Sequence, residues 1–130
     1  MKVIAVDYGS ARTGVAVSDA TGTIARPLGV VERAGGEVGL NRLVELIRAE
    51  EAERVVVGLP LTLRGERGAQ AQETETFVEA LRAAVDVPVE SFDERFTTRL
   101  AQTHGPGPDD ARAAAHLLSS YLEWSSAGRE

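Results

Sequence analysis

Three segments of the chain carry carboxylates in settings where they could do chemistry. The first is Asp7-Tyr8-Gly9-Ser10-Ala11-Arg12-Thr13-Gly14, an acid that closes the apolar run Val3-Ile4-Ala5-Val6 and is followed by a glycine-bearing turn. Glycines there let a backbone, or a bound phosphate, come close to the acid. The second is Phe92-Asp93-Glu94-Arg95-Phe96-Thr97-Thr98, with Glu94 just beyond another short apolar stretch. The third is Asp110, followed by Ala114, Leu117 and Tyr121 on the stripe of a helix that packs inward. A carboxylate on such a stripe is costly unless it is paired or bound to a metal. Each acid also has a plain reading: Asp7 as a turn former, Asp93 and Glu94 as a helix cap and first-turn acid, Asp109 or Asp110 as an N-cap. Taken together, three carboxylates from separated segments are oxygen ligands suited to Mg²⁺ or Mn²⁺. Two such ions, about 4 Å apart, would activate water and stabilise the leaving oxygen in phosphodiester cleavage.

The basic residues fit that chemistry. Arg12, Arg64, Arg67, Arg95 and Arg99 all fall in expected loops or helix starts near the three acids, as nucleic-acid-binding candidates. Other acids gather on two outer helices, Glu45, Glu50, Glu51 and Glu53 on one and Glu73, Glu75 and Glu79 on the other. The expectation is a basic mouth on an acidic body. Neither His104 nor His116 has a second histidine at ligand spacing, and both read as structural or surface residues. Trp124 and Leu122 read as closing a core edge or forming a partner surface.

The elements that must position these residues follow from periodicity. Val3–Asp7 reads as a buried strand, Gly14–Ser18 as its partner, and a third strand runs from about Leu28 to Glu32, giving an antiparallel meander. Leu40, Leu43, Val44 and Ile47 then recur at helical spacing. Val55-Val56-Val57-Gly58 lacks polar alternation, as a strand covered on both faces would. Leu59 to Gly68 reads as loop, about Ala69 to Val85 as helix, and Val87 to Phe92 as a fifth strand with Pro88 at its start or on an edge. Arg95 to His104 is a weaker helical segment, ended by Gly105-Pro106-Gly107-Pro108. The last helix starts at Asp109 or Asp110, with a frayed tail from Ser125. A right-handed crossover after the third strand returns the fourth beside the first. The result is an α/β fold with a five-stranded mixed sheet, order 3-2-1-4-5, and helices on both faces. Its ligand crevice is expected at the carboxyl end of strand one, where Asp7 sits.

Composition bounds the rest. The chain has 130 residues, 43% of them hydrophobic and 26% charged, so one domain over 1–130 is expected. Fourteen basic against twenty acidic residues give a net charge of −6, which argues against a nucleic-acid coat protein but not a nucleic-acid enzyme. Absence of cysteine removes disulfides, thiolate metal sites and a cysteine nucleophile, and fits a cytoplasmic location. Neither a membrane span nor a signal-peptide pattern is expected.

At these residues the sequence resembles the YqgF/RuvX family, pre-16S rRNA nucleases related to RuvC-type Holliday junction resolvases. Four blocks carry the resemblance in order: Ala5-Val6-Asp7-Tyr8-Gly9 with Gly14-Val15-Ala16-Val17-Ser18-Asp19; Val57-Gly58-Leu59-Pro60-Leu61 with Gly65 and Gly68; Asp93-Glu94-Arg95-Phe96-Thr97-Thr98; and Asp110-Ala111 through Tyr121-Leu122. It implies an RNase H-like fold and a metal-dependent nuclease of 16S rRNA 5′-end maturation, with Asp7, Glu94 and Asp110 as catalytic acids and ligands of Mg²⁺ or Mn²⁺. The implied partners are structured RNA or a ribosomal precursor, or branched DNA, and the implied assembly is a monomer or homodimer. The chain departs from the family pattern at Thr62, where asparagine is usual, and in its short Gly105–Asp109 loop. RuvC-type resolvases carry an acid on the fourth strand where this chain has Gly58. Beside the rRNA nuclease stand a junction resolvase using the same site and a non-catalytic RNA- or ribosome-binding module. An actin-like ATPase would need a second phosphate loop and far more chain.

Overall fold

A computed structural model describes residues 1–60, 68–93 and 109–126. The apolar run at the N-terminus becomes β1 (Val3–Asp7), which pairs antiparallel with β2 (Arg12–Ser18) on one side and parallel with β4 (Arg54–Leu59) on the other. β3 (Ala25–Glu32) extends the meander beyond β2, and β5 (Val89–Asp93) lies parallel to β4. The sheet order is β3-β2-β1-β4-β5, as the sequence predicts.

Helices α1 (Glu37–Ala49) and α2 (Ala69–Ala84) cover one face of the sheet, and α3 (Asp109–Ser126) covers the other. Strand alternation sorts the core accordingly. Ile4, Val6, Val15, Val17, Val55 and Val57 meet Leu43, Ile47, Phe77 and Leu81 in a layer of large aliphatic and aromatic groups. On the opposite face Ala5, Ala16 and Val56 meet Ala114, Ala115 and Leu118, a contact built largely from small side chains. β1 and β4 are therefore apolar at every central position because both faces are dry.

Several boundaries differ from the sequence reading. β2 begins at Arg12 rather than Gly14, because Arg12 and Thr13 pair with Glu32 and Val31 of β3, so Arg12 stands at a strand start and not in a loop. β3 begins at Ala25 rather than near Leu28, because the Asp19 carboxylate accepts the backbone N–H groups of Thr23 and Ile24 at 2.8 and 3.1 Å and closes the turn early. Pro27 lies within it opposite Ala16, beside a register irregularity, and is tolerated because β3 is an edge strand. β5 begins at Val89, after Pro88, whose carbonyl accepts the Val55 N–H at 2.9 Å. α3 continues to Ser126, held by Trp124 against Phe92 and Tyr121 at centroid distances of 5.4 and 5.9 Å. Among the described residues no helix is long and apolar enough to cross a membrane.

Candidate active site

Asp7 is the last residue of the central strand β1, on the side of the sheet that α3 covers, since Val3 and Ala5 face that layer. Its backbone pairs with Gly14 of β2. Gly14 explains why a second acid can reach it. A Cβ at position 14 would lie 1.9 Å from the Asp110 carbonyl oxygen and 2.4 Å from its carbon. With only hydrogen there, the first turn of α3 rests directly on β2 and Asp110 arrives beside Asp7. A glycine inside a strand is a signal of such close approach.

The turn between the strands is equally constrained. A Cβ on Gly9 would stand 2.4 Å from the Arg12 carbonyl oxygen, so the chain doubles back tightly there. The buried Thr13 hydroxyl accepts the Gly9 N–H at 3.3 Å and donates to the Gly9 carbonyl at 3.2 Å, fastening the turn at its base. On the other side of the sheet Tyr8 stacks on Phe77, with centroids 4.4 Å apart, and its hydroxyl donates to Glu73 at 3.2 Å. Glu73, exposed on α2 as expected, therefore also reaches this edge of the molecule. Lys2 pairs with Glu50 at 3.1 Å, well away from the site on the body of the protein.

Electrostatics single out Asp7. Its carboxyl is raised above the ordinary aspartate value, first by burial and second by the negative charge of Asp110. Among the described residues nothing donates a hydrogen bond to it. Asp110 differs from expectation: its side chain is 42% exposed and accepts from Arg12, whose Nε lies 2.9 Å from Oδ2. Its backbone, not its carboxylate, makes the packed contact with the sheet. Asp109 pairs with Arg112 on the helix surface. A partly buried carboxylate without a hydrogen-bond donor, crowded by a second one, has the hard oxygen atoms and uncompensated charge that suit a divalent cation. Among the described residues, however, no three potential ligands converge.

Of the predicted site residues, the structure brings together Asp7, Asp110 and Arg12. Glu94, Arg64, Arg67, Arg95 and Arg99, with His104, lie outside the described residues. β5 ends at Asp93, whose register partner is Leu59, at the same carboxyl edge of the sheet as Asp7. Sequence reasoning did not identify Thr13 or Glu73 as supports of the site. A threonine four residues after a glycine and a glutamate on an amphipathic helix carry no distinctive signal.

A five-stranded mixed sheet in this order, with helices on both faces and an acid at the end of its first strand, is an RNase H-like fold. It is similar to the structure of T. thermophilus RuvC in complex with Holliday junction substrate, with a TM-score of 0.69, 20% identity and coverage of 98% of this chain and 96% of that one. Within that class the chain belongs to the RuvX family, described as Holliday junction resolvase, which matches residues 1–124. Relatives named pre-16S rRNA nuclease include one from Chloroflexus aurantiacus, 45% identical over 131 residues, covering 93% of this chain and 86% of the relative. Another, from Desulforudis audaxviator, is 38% identical over 139 residues and covers 99% of each chain.

Proposed function

We propose that this protein is a metal-dependent nuclease that hydrolyses phosphodiester bonds in structured RNA, acting in the cytoplasm on the 5′ end of precursor 16S rRNA. Residues 1–130 act as one RNase H-like nuclease domain in this reading. The observation that carries it is the pair Asp7 and Asp110, seated together at the carboxyl end of β1 by the missing side chain of Gly14. Membership of the RuvX family and relatives named pre-16S rRNA nuclease support the substrate.

In this reading Asp7 and Asp110, with Glu94 from the segment after β5, hold Mg²⁺ or Mn²⁺. The ions, two in number, supply an activated water and a counter-charge for the leaving oxygen when bound. Asp7 serves as the inner ligand because its carboxylate lacks any other compensating contact among the described residues. Asp110 enters from the rim, where Arg12 holds it until substrate phosphate competes for the guanidinium. Arg64, Arg67, Arg95 and Arg99 complete the phosphate-binding surface. Asp7→Asn, Glu94→Gln and Asp110→Asn should each abolish cleavage of a precursor rRNA fragment while binding persists. Wild-type turnover by any one of them would remove that residue from the site.

The family description and the likeness to RuvC favour a second reading, a resolvase of branched DNA. Cleavage of precursor rRNA fragments and four-way DNA junctions under one set of metal conditions separates the two. A large preference for the junction would put the resolvase first.

A further inference from the structure

Two non-glycine residues of the described chain have left-handed backbone conformations, Arg33 at φ 51° and Glu51 at φ 56°. Glu51 needs no special account. It follows the last turn of α1, its N–H donates to the Arg48 carbonyl at 3.0 Å, and left-handed residues commonly end helices there. Arg33 has no such excuse. It leaves β3 four residues before α1 begins, and Gly35 and Gly36 stand close by in sequence, yet the strained position is given to an arginine.

The conformation is held from several sides. The Arg33 N–H donates to the Ala11 carbonyl at 3.0 Å, and its own carbonyl accepts the Gly36 N–H at 2.9 Å. A Cβ on Gly39 would stand 2.0 Å from that carbonyl oxygen, so the first turn of α1 closes over it. These contacts fasten Arg33 to the turn that follows Asp7. The next residue of that turn, Arg12, pairs with Glu32 in the sheet and reaches Asp110. The Arg33 side chain itself is exposed and makes no hydrogen bond or ion pair among the described residues. Strain of this kind persists where surrounding contacts over-determine it, and it gathers at functional sites.

We infer that Arg33 is a substrate-positioning residue, its guanidinium binding a phosphate of the nucleic-acid backbone beside Arg12. The inference rests on the nuclease reading and extends its phosphate-binding surface to a segment between β3 and α1. Anchoring the main chain to the Ala11 carbonyl roots this side chain one residue along from Arg12, whose own charge is engaged by Asp110. The guanidinium's planar donors suit a phosphate, and an exposed one without an ion pair among the described residues has none to break on binding.

The test measures binding of a labelled precursor 16S rRNA hairpin and of a four-way DNA junction by fluorescence anisotropy, from 50 to 200 mM salt. The parent carries Asp7→Asn to prevent cleavage. Arg33→Gly and Arg33→Asn both suit a left-handed backbone, so their melting temperatures should not fall. Each should lower the salt slope by about 0.9 on duplex, making the affinity gained between 200 and 50 mM about 3.5-fold smaller than in the parent. Arg33→Lys should retain the slope, and Arg42→Ala on α1 should leave it unchanged. Parent-like slopes in both Arg33→Gly and Arg33→Asn would overturn the inference, as would an equal loss in Arg42→Ala. Failure of the parent to bind either probe would overturn the nuclease reading and this inference with it. Binding by the parent with no effect at Arg33 would overturn this inference alone.

Discussion

Replacing Asp7 by asparagine should make the metal-free protein more stable, although it alters the last residue of the sheet's central strand. The amide keeps the shape of the side chain, and no hydrogen bond among the described residues is lost with the charge. What disappears is the burden of a partly buried carboxylate facing Asp110. Two carboxylates roughly 5 Å apart repel by about 3 kcal/mol at an effective dielectric near 20. The Arg12 guanidinium and the solvent around half-exposed Asp110 screen most of that, leaving about 1 kcal/mol to be gained. For a chain of this length that raises the melting temperature by about 4 °C. The pH dependence has a definite sign. Because the folded-state value of Asp7 is raised, the folded protein binds its proton more tightly than the unfolded chain does. The penalty is fully present above the folded-state value and declines as pH falls through it, reaching nothing near the ordinary value of 3.8. The advantage of Asp7→Asn should therefore shrink over the same interval. Added Mg²⁺ or Mn²⁺ should stabilise the wild type by binding its folded state and should stabilise the variant less. Calorimetric melting of both proteins, in chelator and in metal across this pH range, measures all three effects. A variant that melts lower in chelator and ignores metal would refute the reasoning, even with the fold intact.

Gly14→Ala should lower the melting temperature by about 4–11 °C, corresponding to about 1–3 kcal/mol of overpacking against the Asp110 backbone, and should depress cleavage by displacing the start of α3. Unchanged melting and cleavage would mean that this close approach is not needed. Asp19 is held at about 2, chiefly by the Thr21 hydroxyl and then by the Ile24 and Thr23 N–H groups. Its stabilising contribution is present above the ordinary aspartate value and lost as pH falls through about 2, so the deficit of Asp19→Ala in acid melts should vanish over that span. A deficit independent of pH would assign the effect to something other than the carboxylate.

The central strands and the order of the sheet were legible in the sequence because burial on both faces leaves a plain mark. Val3–Val6 and Val55–Val57 have no polar interruption, and the meander followed by a helix admits few topologies. The start of β3 was hidden by two local devices, the side-chain turn at Asp19 and the proline that an edge strand can tolerate. The position of Asp7 at a strand end is legible in the sequence. Its meeting with Asp110 depends on Gly14, whose importance lies in the atom it lacks and the distant carbonyl that fills the space. Periodicity put Asp110 on the packed stripe of α3, but the first turn of a helix overhangs its support, so the carboxylate emerges at the rim beside Arg12. The left-handed conformation of Arg33 is not legible, because nothing in an Arg-Ala-Gly-Gly sequence says which residue adopts it.

The unequal faces of the sheet divide the consequences of mutation. Large, branched side chains under α1 and α2 can trade a methyl group between neighbours, and losses there are felt mainly in melting temperature. Under α3 four of the contacts are Ala5, Ala16, Ala114 and Ala115, all fully buried, so at those points the helix lies close on the sheet. An added methyl group at any of these fully buried alanines has little room, and tilting the helix is one way to accommodate it. Asp110 rides at its end. Drift on the first face would leave a weaker protein with an unaltered cleft, whereas drift on the second would leave a folded protein whose two carboxylates no longer meet.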